Sequence, residues 1–279
     1  MIRATIGIFS QGGVSFDADY QAVLDYATTQ TYTLPSASQQ ALQNQLVIDL
    51  KDAGIWSKLD LLYVFATDGD SDFASINWKD PNNFEIDEFN SPTHTTNKGF
   101  EGNGTSAYLN TNWDLANDSV NYQQDDAGIF VGITEQSTSD ERQNRYTGVI
   151  GTNYNSAIRV DINSLDSRNR SYMNSSSNFS EAFDTKVDNT IYFANRTSAS
   201  GASSINTRNT DLATPYTNSF TGGTTSGTLP SINQLFFRGS TFYAPAGSKI
   251  GISGFGSNFS SSEMDDIETA WYTNYYTNL

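Results

Sequence analysis

Between Phe84 and Trp113 the chain changes its periodicity, and that change constrains the fold more than any other feature. Upstream, apolar residues recur at helical intervals; downstream they alternate, as they do in strands. Within FEIDEFNSPTHTTNKGFEGNGTSAYLNTNW the pattern predicts a strand over residues 84–89, with Phe84 and Ile86 on one face and Glu85 and Asp87 on the other. Asn90-Ser91-Pro92-Thr93-His94 predicts a turn, because proline fixes φ and Asn, Ser and Thr bond their own backbone. Gly99 and Phe100 fall on a second strand, Asn103-Gly104 supplies positive-φ residues for a tight hairpin, and a third strand begins at Ala107-Tyr108-Leu109.

On the helical side, residues 1–16 carry alternating Ile2, Ile6 and Ile8 and form an initial strand or arm, expected to dock on a sheet edge or a second subunit. Asp17 or Asp19 then opens a helix with Tyr20, Val23, Leu24 and Ala27 on one stripe. Ser36 and Gln39 have capping-box spacing ahead of Leu42, Leu46, Leu50 and Ala53, and Gly54 is the expected stop. The apolar run over residues 55–63 predicts a further short helix, followed by a loop over 67–72. On the strand side, alternation predicts strands at 129–133, 146–150, 158–162, 190–196, 235–238 and 249–255. Ser/Asn/Gly/Thr loops such as 164–178 and 221–227 separate them. Ser260 with Glu263 opens a last helix, on which Met264, Ile267, Trp271 and Tyr275 share a face and form a buried stripe. The chain is thus predicted to be mainly β: a two-sheet antiparallel sandwich with a small N-terminal helical region and a C-terminal closing helix. Its division is residues 1–72, arm and helical region, and 73–279, sandwich with closing helix.

The 279 residues suffice for a sizeable core without staples, and without cysteine there are neither disulfides nor thiolate metal sites. The formal net charge of −16, from 15 Lys+Arg against 31 Asp+Glu, excludes a phosphate-tracking surface, so no nucleic acid is expected as partner. No apolar stretch is long enough to insert into a membrane. The start at Met1 shows no export signal, yet the Asn/Ser/Thr/Gly/Tyr-rich composition suits an outward-facing protein. A virion protein assembled in a bacterial host's cytoplasm reconciles the two, as does a signal removed by cloning.

The segment SPTHTTNKGFEGNGTSAYLNTNW resembles the opening hairpins of concanavalin A-like (LamG-like) lectin/glucanase sandwiches of bacteriophage structural proteins. In those a Thr-His pair precedes a Gly-aromatic strand, an Asn-Gly-Thr turn and an aromatic-bearing strand. GIWSKLDLLYVFATDGDSDFASINWKDPNNF is similar to their lead-in, and the resemblance covers residues 42–113. It implies a concanavalin-type jelly roll closed by a helix, a structural hydrogen-bonding role for His94, and a place in a virion.

Family-16 glucanases share that fold and carry Glu-x-Asp-x-Glu or Glu-x-Asp-x-x-Glu on one strand, which puts nucleophile and acid/base about 5 Å apart on one face. Here Glu85 and Asp87 share a face, Glu88 points the other way, and Phe89 and Asn90 are not acidic. The motif misses by one residue, so these carboxylates are expected to face solvent and the chain to be no enzyme. Asp68, Asp70 and Asp72 have the spacing of half a calcium loop, but Phe73 and Lys79 stand where an EF-hand needs Gly and Glu. A solvated acidic loop is expected there, with a looser Ca²⁺ site as the alternative and no other cofactor. His94 is the only histidine, which leaves no histidine metal cluster. No Gly-rich phosphate loop is present. Trp113, Tyr122, Tyr154 and Tyr172 stand beside Asn, Gln or Asp, the mixture in which rings stack on sugar C–H surfaces while amides bond hydroxyls; they are the candidate glycan contacts. The expected function is a phage virion protein of decoration, spike or fibre type, homo-oligomeric, bound to other virion proteins and presenting a lectin-like sandwich to host-surface glycan. A purely structural virion subunit is the first alternative and a polysaccharide hydrolase the second.

Overall fold

The computed structural model describes residues 15–137, 144–150, 155–161, 168–175, 179–182, 188–200, 203–209, 216–222, 225–239 and 243–279. Most of the expected arm, including Ile2, Ile6 and Ile8, lies outside them. Helix α1 (Ala18–Gln30) starts where the Asp17 carboxylate accepts the Asp19 N–H, and it buries the expected stripe of Tyr20, Val23, Leu24 and Ala27. Helix α2 (Ala37–Asp52) is capped by the Ser36 hydroxyl, which accepts the Gln39 N–H. The Gln39 side chain does not return to the cap: Gln39 and Gln43 are buried beside Leu46, Val47 and Leu50. Tyr20 Oη donates to Gln43 at 2.6 Å, Thr67 Oγ1 donates to Gln39 at 2.8 Å, and Gln43 Nε2 donates to Tyr275 Oη at 3.2 Å. A closed polar network thus joins the helices beneath their apolar stripe, where unpaired amides would be costly.

Residues 55–63 are not the helix their apolar run predicts. A single 3-10 turn (Trp56–Lys58) leads into strand β1 (Leu59–Val64), in which every residue except Asp60 is buried. A strand covered on both faces loses the alternation that separates strand from helix in a sequence. The loop that follows contains one helical turn, α3 (Ser71–Ala74). Then come β2 (Asp87–Phe89), β3 (Thr93–Thr95), β4 (Gly99–Glu101) and β5 (Tyr108–Asp114). The strand expected over 84–89 is shortened because Phe84 has φ of 61°, and β3 takes over the end of the expected turn. Asn103-Gly104 does not close a hairpin: β4 and β5 belong to different sheets. Asn103 Oδ1 instead accepts the N–H groups of Thr105, Ser106 and Ala107 at 3.0, 2.8 and 2.9 Å and carries the chain across.

The remaining strands are β6 (Ala127–Glu135), β7 (Asn144–Ile150), β8 (Asn155–Asp161), β9 (Arg168–Ser175), β10 (Phe179–Ala182), β11 (Thr190–Arg196), β12 (Ser203–Asn209), β13 (Tyr216–Gly222), β14 (Asn233–Phe236) and β15 (Lys249–Gly256). Strand β9 runs through the expected loop at 164–178, and β13 ends inside that at 221–227. One sheet has the order β13-β12-β11-β6-β15-β4-β3, with β1 also paired to β15; the other has β10-β9-β8-β7-β14-β5-β2. The chain is a two-sheet antiparallel β-sandwich with an N-terminal helical region and a C-terminal helix.

Between the sheets lie Leu61, Tyr63, Phe65, Phe100, Trp113, Val131 and Phe236. The other face of the first sheet, through Phe130, Phe193 and Ile252, meets Tyr20, Leu46, Met264, Ile267, Trp271 and Tyr275 of the helical layer. Helix α4 (Ser261–Glu268) has the expected capping box of Ser260 and Glu263 and continues as π-helical turns over Thr269–Tyr275. Glycines make room for its anchor: a Cβ on Gly251 would sit 2.9 Å from the Trp271 ring, and one on Gly132 3.1 Å from its indole nitrogen. Among the described residues no helix is long and apolar enough to cross a membrane.

Candidate functional site

Beside the end of β2 a cleft of about 480 Å3 opens between the helical layer and the second sheet. Its lining includes Tyr26, Tyr32, Asp72, Glu85, Asp87, Glu88 and Asn112. Its floor is built from backbone that contacts from other parts of the chain hold in an uncommon conformation. Phe84 at φ 61° is a bulky residue in the left-handed region, an uncommon state that surrounding contacts must enforce. Those contacts are Tyr63 Oη donating to the Phe84 carbonyl at 2.6 Å and the Ile86 N–H donating to the Ser75 carbonyl at 3.0 Å. Asn112, itself at φ 58°, donates through Nδ2 to the Glu85 carbonyl at 3.1 Å and to Asp87 at 2.9 Å.

Glu85 is therefore not the outward member of a regular strand. It is half-buried, and both its oxygens are held: Tyr26 Oη donates to one and Tyr32 Oη to the other, each at 2.7 Å. The rings meet edge to face, with centroids 6.5 Å apart. Burial, together with the bond to Glu85, pushes the Tyr26 phenol up to about 12 and raises that of Tyr32 as well. Asp72 and Glu88 are both held above the usual carboxylate range: first by desolvation, then by Asp70 and Glu85 for Asp72, and by Asp72 for Glu88. Among the described residues no Lys, Arg or His lines the cleft. The site offers carboxylate and amide acceptors beside two tyrosine side chains, a chemistry suited to hydroxyl or ammonium donors and repellent to anions.

The acidic loop over 67–72 builds this site in a way its sequence does not announce. Asp68 accepts the Ser36 N–H at 3.0 Å; Asp70 accepts the Thr33 N–H at 2.6 Å and caps α3 through the Phe73 N–H at 2.9 Å. Both pin the α1–α2 connection and so set Tyr32 against Asp72. Asp68, Asp70 and Asp72 do not converge on a common point, and among the described residues no group of three His, Asp or Glu forms a metal-ligand set. His94 bonds the Phe65 carbonyl through Nε2 at 2.9 Å, packs 4.9 Å from the Phe100 ring, and is held below the ordinary imidazole value by burial.

The expected aromatic contacts are corrected in part. Trp113 and Tyr122 are fully buried, packed edge to face at 5.8 Å, and Tyr122 Oη donates to Asn174 at 3.0 Å. An inward position on β5 and a partnered hydroxyl make them core residues. Tyr172 is half-buried on β9, and Tyr154 lies outside the described residues. The tyrosines that do line a cleft, Tyr26 and Tyr32, escaped notice. Tyr26 had a legible signal, since it falls off the apolar stripe of its own helix.

No protein-family model matches the chain, and no curated protein matches it in sequence. Among solved structures, the Trypanosoma rangeli sialidase is similar at 10% identity, over 86% of this chain and 40% of that one, with a TM-score of 0.51. The CBM2 module of the evolved Dit of Lactobacillus casei BL23 phage J-1 is similar at 9% identity, over 61% and 80% of the two chains, with a TM-score of 0.38. The enzymatically active domain of bacteriophage CBA120 tailspike protein 2 is similar at 10%, over 67% and 30%, with a TM-score of 0.44. The chain spans 40% of the length of the sialidase and of a GH54 α-l-arabinofuranosidase that it also matches. Its structural neighbours thus include phage tail proteins and glycosidases.

The expectation that the chain is no enzyme is corrected on this ground. A sialidase shares the fold of this chain over 86% of this chain and 40% of its own. The argument from a one-residue slip also falls, because Glu85 precedes β2 and follows a left-handed Phe84, so strand alternation does not apply to it.

Proposed function

We propose that the chain is a carbohydrate-recognising virion protein of a bacteriophage, of decoration, spike or fibre type, with a LamG-like sandwich, and that its sugar site is the cleft at Glu85. The observation that carries the sugar site is the paired grip of Tyr26 and Tyr32 on Glu85 in an open cleft lined by further carboxylates and an amide. Hydroxyls donate to fixed carboxylates, and rings meet the C–H faces of a pyranose. The acidic lining selects uncharged or amine-bearing sugars against anionic ones. Virion membership is supported by the resemblance of residues 42–113, and homo-oligomers and contacts with other virion proteins belong to the same proposal.

A glycan array probed with the full chain tests the sugar site. Neutral or amine-bearing glycans should be retained and sialylated ones not. Glu85→Gln should weaken binding at least tenfold, in keeping with about 1.5–3 kcal/mol for hydrogen bonds to a charged group. Retention of no glycan, or equal retention by the variant, sinks this site. Absence of the chain from purified particles sinks the virion role.

A further inference from the structure

We infer that the cleft continues into a track along the outer face of the second sheet, with Phe89, Tyr108, Arg238 and Tyr243 forming a far subsite for an uncharged oligosaccharide. The inference rests on the proposed sugar site and adds the ligand's length and second anchor.

In the β2–β5 ladder Asp87 stands opposite Asn110, and Phe89 opposite Tyr108. Leu109, Thr111 and Trp113 of β5 are buried, so Tyr108, Asn110 and Asn112 point outward, and their partners Asp87 and Phe89 share that face. Asn112 and Asp87 already line the cleft. From them the face runs through Asn110, whose Nδ2 donates to Asn112 at 2.9 Å, to Phe89 and Tyr108. Asn112 to Tyr108 is four residues, about 13 Å of strand, longer than a single pyranose.

The far end is built differently from an ordinary polar surface. Phe89 and Tyr108 stack with centroids 4.7 Å apart and planes within 2°, and Phe89 is 38% exposed. The Arg238 guanidinium lies 4.5 Å from the Tyr108 ring and 5.6 Å from that of Tyr243, which fixes the platform from its other side. Charge complementarity selects the occupant. The cleft end presents only acceptors in its carboxylates, whereas Arg238 presents only donors. A hydroxyl-bearing chain supplies donors to the first and acceptors to the second, and lays a ring C–H face on Phe89, which Tyr108 holds in place between itself and solvent. A protein strand added to β2, the end strand of its sheet, would use backbone groups and leave both polar ends unmatched.

The test is calorimetry of the full chain with chitin and cellulose oligosaccharides, each from the monosaccharide to the hexasaccharide. Affinity should climb with length beyond the disaccharide. Phe89→Ala and Tyr108→Ala should each weaken the hexasaccharide about tenfold and flatten the dependence on length. Tyr108→Phe, which keeps the ring, should lose less than Tyr108→Ala, and an unchanged Tm establishes that the variants fold. Affinity independent of length, or indifferent to both alanine variants while Glu85→Gln abolishes binding, overturns the track and leaves the cleft. A positive array with neither series bound also overturns the track, and a negative array removes cleft and track together.

Discussion

At the scale of single residues, the site is decided by groups whose environment differs from what their neighbours in sequence suggest. Glu85 and Asp87 have the spacing of one strand face, but only Asp87 lies on β2; Glu85 precedes it and follows the left-handed Phe84. Nothing local in the sequence marks a left-handed Phe; it is imposed by the Tyr63 and Ser75 contacts, which are distant along the chain. Asp72 gives the sharpest residue-level expectation. Its folded-state proton affinity is raised by desolvation and by Asp70 and Glu85, so ionisation destabilises the fold. That penalty is complete above the raised folded value and absent below the unfolded one. Asp72 is exposed, so solvent screens much of this penalty; Asp72→Asn should therefore raise Tm only slightly at neutral pH, with the gain shrinking as pH falls through the carboxylate range and gone by about pH 3. Circular-dichroism melts across pH measure this. A gain that stays constant with pH would assign the effect to something other than ionisation.

At the scale of elements, what was legible follows from burial. Strands β6, β11 and β15 carry dense apolar residues because both faces are covered, and both long N-terminal helices announce their caps. Strands β9 and β12 are rich in Ser, Asn and Arg, compositions that otherwise mark loops, and only pairing with their neighbours makes them strands. Strand β1 failed for the opposite reason, being too apolar to show a period. The cap at Ser260 is the legible feature with a measurable consequence: Ser260→Ala should cost about 1 kcal/mol by removing the acceptor for the Glu263 N–H. The β1–β15 ladder offers a harsher test. A Cβ on Gly256 would lie 2.0 Å from the Lys58 carbonyl oxygen, a backbone atom that cannot swing aside. Gly256→Ala should cost more than about 4 kcal/mol, whereas Gly54→Ala, at φ 74° with open space around it, should cost about 1–2 kcal/mol. Chemical denaturation of the two variants separates them, and equal losses would refute the close approach.

At the scale of the whole molecule, the helical layer and the sandwich are joined more tightly than a division at residue 72 suggests. Strand β1 precedes that position yet pairs with β15, and α1, α2 and the C-terminal helix share one core with the first sheet. The cleft lies where these layers meet, its tyrosines coming from α1 and the segment after it, and its carboxylates from α3, the segment before β2 and β2 itself. Trp271 anchors this arrangement: it is 3% exposed, rests over Gly132 and Gly251, and packs at a tilt against Tyr275, whose hydroxyl closes the Gln43 network. Trp271→Ala should cost about 3–5 kcal/mol, as large-to-small changes in cores do. Because its neighbours belong to both layers, the loss should not stay within the closing helix. Near-ultraviolet and far-ultraviolet circular dichroism should still fall in one coincident transition at a lower Tm, and glycan binding should be lost at that same temperature, since Tyr26 and Tyr32 leave the cleft with the helices. Two separated transitions, with binding surviving the first, would show that the helical layer melts alone and that the cleft does not depend on it.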